Sequence, residues 1–296
     1  MLEEIRVFIG EGMKREDTIQ SHKYFVFDLD ETIGSFSDLY LLCKIINTIQ
    51  IESGRIIFQD TIQVVDQLLD IFPEFLRPGI IDILYYIYVK KRSSICDGVF
   101  IYTNNQCITE TWTRCIMNYI EKMAIMPGLI NNIVLAFKIN DRIIEPKRTS
   151  QQKKYRDFIK CAFLPNYSSL CFIDNTSFTK MQSEYVYYIQ PPPYFHTLTI
   201  SHMITRLLTS DFGLTFTKDI GLSLEILQER MYNQSVLIGR IDTLYIERSN
   251  TIERLSHIET SRKLMYYIRE YLFYSQKKRR KTMSYRKKNT NKTRRI

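Results

Sequence analysis

Alanine is nearly missing from this chain: Ala124, Ala136 and Ala162 are the three in 296 residues, while Ile, Tyr, Asn and Lys abound. AT-rich coding, such as that of a large DNA virus, produces this bias, so the shortage bears on source rather than mechanism. Cysteine is sparse and unpatterned. Cys43, Cys96, Cys107, Cys115, Cys161 and Cys171 form no CxxC pair and have no histidine at zinc-ligand intervals. That argues against a disulfide framework or a structural zinc site and makes a reducing, intracellular compartment, cytoplasmic or nuclear, the expectation. No charged-then-apolar leader opens the sequence, and the apolar run from Ile80 to Val89 is too short to cross a bilayer. No membrane role is expected. The length allows a sizeable core, in one large domain or two smaller ones.

Charge is distributed unevenly. The formal net charge is +9, yet residues 277–296 hold eleven Lys or Arg and no acid, which leaves residues 1–276 with 30 basic and 32 acidic groups, a net of −2. Such a tail cannot bury apolar surface and is expected to be disordered by itself. It could address the protein to a nucleus through an import receptor, neutralise nucleic-acid phosphates, or keep the chain soluble.

Against this background one stretch carries chemistry. Tyr24-Phe-Val-Phe27 is an unrelieved aromatic and β-branched run, as a strand buried on both faces of a parallel sheet requires, and it ends in Asp28-Leu29-Asp30-Glu31-Thr32. Alternation along an extended chain puts Asp28 and Asp30 on one side. Two carboxylates so close need a cation between them or a proton on one, the arrangement that serves a nucleophile beside a general acid. The same residues could also start a turn or cap a helix. The pattern recurs, with Val99–Tyr102 running into Thr103-Asn104-Asn105 and Leu170–Ile173 into Asp174-Asn175-Thr176. Helix-length stretches lie between, so the strands are expected to be parallel, with their carboxyl ends along one edge of an α/β sheet, where open sheets bind ligands.

These residues resemble the motifs of haloacid-dehalogenase-type phosphohydrolases, and among them the RNA polymerase CTD phosphatases with their small-CTD-phosphatase and NLI-interacting-factor relatives. Asp28-Leu-Asp-Glu-Thr32 is similar to the first motif, and Arg77-Pro-Gly79 to the Arg-Pro-Gly segment. Thr103 stands at the second motif's phosphate-binding hydroxyl, with Asn104 after it. Lys147, in Glu145-Pro-Lys-Arg-Thr149, is the first choice for the third motif's lysine; Lys138, Lys153 and Lys160 compete. Phe172-Ile-Asp-Asn175 resembles the fourth motif. The likeness spans roughly residues 23–208. The chain departs from the pattern at Ile33-Gly34-Ser35, where these phosphatases usually carry an aliphatic residue and then histidine.

The resemblance implies a Rossmann-like α/β fold and a magnesium-dependent phosphatase. Asp28 would be the nucleophile that forms an aspartyl-phosphate and Asp30 the general acid and base, with Thr103, Asn104 and Lys147 binding the phosphoryl group. Mg2+ would sit on Asp28, the carbonyl of Asp30, Asp174 and Asn175. The implied substrate is a phosphoserine or phosphothreonine protein such as an RNA polymerase tail. A small molecule or a nucleic-acid end, and a weakly catalytic protein that docks on nucleic acid, are the alternatives.

The implied layout is a phosphatase domain over 1–210, a helical C-terminal extension over 211–276 and the basic tail over 277–296. Within the first, residues 34–76 read as a helical insertion, either a cap over the site or an enlarged core; Leu39–Ile46 and Ile62–Ile71 carry helical periodicity. Beyond Tyr185–Ile189, expected as a strand, Pro191-Pro-Pro-Tyr194 reads as a rigid loop, though it also fits the proline-rich pattern that WW domains bind.

Overall fold

The computed structural model describes residues 4–14, 22–59, 61–106, 111–238 and 255–273; the basic tail lies outside them. The strands are β1 (Arg6–Ile9), β2 (Lys23–Phe27), β3 (Gly98–Tyr102), β4 (Asn132–Val134), β5 (Lys138–Ile139), β6 (Arg142–Ile143), β7 (Ser169–Ile173) and β8 (Val186–Gln190). The helices are α1 (Glu11–Lys14), α2 (Ser37–Ser53), α3 (Val65–Ile71), α4 (Ile80–Arg92), α5 (Thr111–Met123), α6 (Tyr155–Cys161), α7 (Ile200–Leu208), α8 (Asp211–Ile220), α9 (Leu224–Leu237) and α10 over 255–273.

Six strands form one sheet in the order β1-β8-β7-β2-β3-β4, parallel throughout except for β1, which runs antiparallel to β8. β5 and β6 pair separately as a hairpin. The central strands β2, β3 and β7 are buried at every position, which is why they read as continuous apolar runs. Alternation splits their side chains between two cores. Phe25, Phe27, Val99, Ile101, Cys171, Ile173, Tyr187 and Ile189 join a large apolar cluster, whereas Tyr24, Val26, Phe100, Phe172 and Tyr188 join a smaller one covered by α6 through Tyr155, Phe158 and Ile159.

The large cluster takes in most of the helices. Leu39, Leu42, Ile45, Ile46 and Ile49 of α2 and Leu68 and Leu69 of α3 belong to it, so the insertion after β2 contributes core on one sheet face. So do Phe216 of α8, Leu227 and Met231 of α9, and Leu264, Ile268, Tyr271 and Leu272 of α10, and the C-terminal helices share the core of the sheet. At Pro191–Tyr194 the loop reading holds. Tyr194 is 4% exposed and donates its hydroxyl to the Glu74 carbonyl at 2.6 Å, a state in which its ring cannot be read by a WW domain. Among the described residues no helix is long and apolar enough to cross a membrane.

Because β2 sends the chain to β3 on one side and receives β7 on the other, the strand order reverses around it. The crevice at the carboxyl ends of β2, β3 and β7 is where such sheets place ligands.

Candidate active site

Each of the three strand tips is held by its neighbour for one residue beyond the strand. The backbone N–H of Asp28 donates to the Ile173 carbonyl (2.9 Å), that of Thr103 to Val134 (3.0 Å) and that of Asp174 to Ile189 (3.2 Å). Sheet geometry thus extends to the functional residues themselves, and Asp28, Thr103 and Asp174 stand on rigid backbone.

Lysine 153 joins two of them. Its ammonium lies 2.5 Å from Asp28 Oδ1 and 2.7 Å from Asp174 Oδ2, with the lysine side chain 2% exposed. The rings of Tyr102, Phe172 and Phe178 surround the same ammonium with centroids 5.4 to 5.9 Å away, excluding water and strengthening the charge interactions. Burial disfavours the ammonium, but Asp174 and Asp28 more than offset it and raise the Lys153 pKa. Lys147, the first choice from sequence, goes elsewhere: its ammonium stacks over the ring of Phe163, 3.1 Å from the centroid. Lys153 takes that place because it stands one residue before the Lys154 N-cap of α6, whose Phe158 packs against Tyr102 and Phe100 and so brings the lysine to the strand tips.

Asp30 is set by the opposite wall. Asn105 Nδ2 donates to Asp30 Oδ2 at 2.7 Å, and the backbone N–H of Asn105 donates to Thr103 Oγ1 at 3.0 Å. Burial first, and the negative charge of Asp28 after it, push the Asp30 pKa up to about 6, against the lowering effects of Asn105 and Lys153. Burial also raises Asp174, in opposition to Lys153. A carboxyl whose pKa burial lifts to about 6 can hold a proton close to neutral pH.

The loop after β2 is clamped. Glu31 has φ +54°, a left-handed conformation that costs a non-glycine residue about 1 kcal/mol. Buried Arg77 holds it by donating Nε to the Thr32 carbonyl (2.7 Å) and Nη2 to the carbonyls of Glu31 (2.6 Å) and Pro192 (2.8 Å). Gly34 is required here because a Cβ would fall 2.4 Å from the Phe75 carbonyl and 2.4 Å from the Phe36 ring. Thr32 Oγ1 exchanges hydrogen bonds with Asn175, donating to Oδ1 at 3.0 Å and accepting from the backbone N–H at 3.1 Å, which locks the first loop to the one after β7. Asn104 Oδ1 accepts from Arg148 Nη2 (2.6 Å), while Arg148 Nη1 donates to the carbonyls of Thr103 (3.1 Å) and Leu135 (2.6 Å).

Of the residues expected from sequence, Asp28, Asp30, Thr103, Asn104, Asp174 and Asn175 line this edge and Lys147 does not. Lys153, Asn105, Arg148 and Thr32 complete the set. Asn105, Thr32 and Arg148 all lie inside the quoted motifs, but nothing in their spacing assigns Arg148 to the turn after β3.

No three His, Cys, Asp or Glu among the described residues close on one point as a finished metal cage. The donor chemistry still suits magnesium. Lys153 takes one oxygen from each of two aspartates, and the remaining oxygens of Asp28, Asp174 and Asn175, with the Asp30 carbonyl, are hard donors, although Asp174 Oδ1 also accepts from the Thr176 N–H (2.8 Å) and Asn175 Oδ1 from Thr32. No known protein family, curated protein or solved structure matches the chain.

Proposed function

We propose that this protein is a magnesium-dependent phosphomonoester hydrolase of the haloacid-dehalogenase type that works through an aspartyl-phosphate. The observation that carries the reading is the Lys153 ammonium bridging Asp28 and Asp174 at adjacent strand tips, with Asp30 and Thr103 beside them. An Asp28 carboxylate oxygen attacks phosphorus in line as the ester P–O bond breaks. The leaving oxygen takes the proton of Asp30. Asp30, now a carboxylate, removes a proton from water, which attacks the same phosphorus and releases inorganic phosphate and free Asp28. Thr103 and Lys153 stabilise the charge on the phosphoryl oxygens. Magnesium, held by Asp28, Asp174, Asn175 and the Asp30 carbonyl, supplies neutralising charge when bound.

A phosphoserine or phosphothreonine protein, such as an RNA polymerase tail, is the substrate class we favour. The apolar side chains of α2 and α3 are spent in the core, which supports a site open to a macromolecule over one lidded for a metabolite. The test is magnesium-dependent phosphate release from an aryl phosphate and a phosphoserine peptide. Wild type should turn over and Asp28→Asn should lose on the order of 10³-fold or more in kcat while melting normally; equal rates in the two proteins would remove Asp28 as nucleophile.

A further inference from the structure

We propose that Asn105 is a positioning residue that couples the general acid to the phosphate-binding hydroxyl, its side chain choosing which oxygen of Asp30 carries the transferable proton and its backbone aiming the Thr103 hydroxyl. The inference rests on the phosphatase reading and assigns a role to a residue outside the nucleophile, acid, lysine and metal set. An amide NH2 can only donate. With Asn105 Nδ2 2.7 Å from Asp30 Oδ2, that oxygen is an acceptor, and in the neutral acid the proton resides on Oδ1. The backbone N–H of Asn105 meanwhile donates to Thr103 Oγ1 at 3.0 Å. Thr103 Oγ1 therefore accepts from within its own loop, and its hydrogen is directed to an outside acceptor, the phosphoryl oxygen.

The two contacts come from one residue at the end of β3, on backbone fixed by the Thr103 N–H to the Val134 carbonyl, and Asp30 belongs to the loop after β2. Asn105 thus keeps acid and phosphate donor in register across two separate strand tips. Arg148 steadies the same turn from behind through the Thr103 carbonyl and Asn104 Oδ1. Misplacing a catalytic group by a fraction of an ångström is costly to a proton transfer.

An acid that protonates the leaving oxygen matters greatly for an alkyl phosphate, whose alkoxide leaves poorly, and little for an aryl phosphate, whose phenolate leaves well. The experiment compares kcat/KM, which reports only the steps through aspartyl-phosphate formation, for a phosphoserine peptide and for p-nitrophenyl phosphate in wild type, Asn105→Ala and Asn105→Asp. The second variant keeps the side chain's size and removes the N–H. Both variants should lose on the order of 10²-fold on the peptide and less than about tenfold on the aryl ester. A loss of equal size on both esters in either folded variant, or no loss on the peptide, would overturn the role given to Asn105. A wild type that hydrolyses neither ester would overturn the phosphatase reading itself, a result distinct from both.

Discussion

Lys153 is the side chain on which the site balances. Its ammonium satisfies one oxygen from each of two buried aspartates, and removing it leaves like charges facing each other in a water-poor crevice walled by Tyr102, Phe172 and Phe178. Breaking a buried pair from one side typically costs about 3–5 kcal/mol. Lys153→Met should therefore lower the melting temperature and reduce phosphate release by on the order of 10²-fold or more, whereas Lys147→Ala should stay within about twofold of wild type. The stability deficit has a sign in pH. Burial raises the Asp174 pKa and the Lys153 ammonium opposes that rise, so without the ammonium the folded state binds more protons than the unfolded one, and the deficit shrinks as pH falls from 8 toward 5. Melting curves across that range check it, and a deficit that grows on acidification would show that the pair is not what Lys153 stabilises. The lysine could not be chosen from sequence because four candidates precede Asp174 and the spacing rule does not separate them. What separates them is that Lys153 leads into the N-cap of α6, and the packing of Phe158 against Tyr102 is a tertiary fact.

At the scale of elements, legibility followed burial. β2, β3 and β7 were readable because a strand covered on both faces must be apolar without interruption, and their tips named six of the site residues. β1, β4 and the β5–β6 hairpin were not, since four, three, two and two residues of mixed exposure carry no period. Nor could the sequence disclose that Arg77 reaches back to the loop after β2. The motif announces a turn into α4, where Gly79 has φ +78°, but the guanidinium's partners are the carbonyls of Glu31, Thr32 and Pro192, contributed by two distant segments. Burial pushes the Arg77 pKa down to about 10, and the group is held by carbonyl dipoles. Its fork geometry is the useful property, so Arg77→Lys should fail nearly as badly as Arg77→Met, each losing about 2–4 kcal/mol with loss of turnover as the Glu31 turn relaxes. Denaturant midpoints measured alongside activity decide this. Full stability and activity in Arg77→Lys would mean that charge, and not the fork, holds the loop.

For the whole molecule, the separation of charge from chemistry is one of sequence, and the last described helix is pinned far from the crevice. Tyr271 of α10 donates its hydroxyl to the Ser169 carbonyl at 2.9 Å and packs on Phe25, at the end of the sheet where β7 begins, whereas Asp28, Thr103 and Asp174 follow the strand ends. The two edges are separated by the length of a five-residue strand, about 15 Å. The eleven basic residues from 277 onward lie outside the described residues, and they follow in sequence a nearly neutral body whose last described helix packs at the edge opposite the crevice. A chain ending at residue 276 should keep its rate on a small aryl phosphate within about twofold while losing salt-sensitive binding to nucleic acid. With all eleven charges engaged on duplex DNA, the intact chain would show a slope of log K against log salt on the order of −10, and the truncated one a slope near zero. Binding that survives truncation with its slope intact would assign nucleic-acid contact to the folded body. A truncated chain that binds nothing and loses its aryl phosphatase rate would show instead that the tail acts on the site across the sheet.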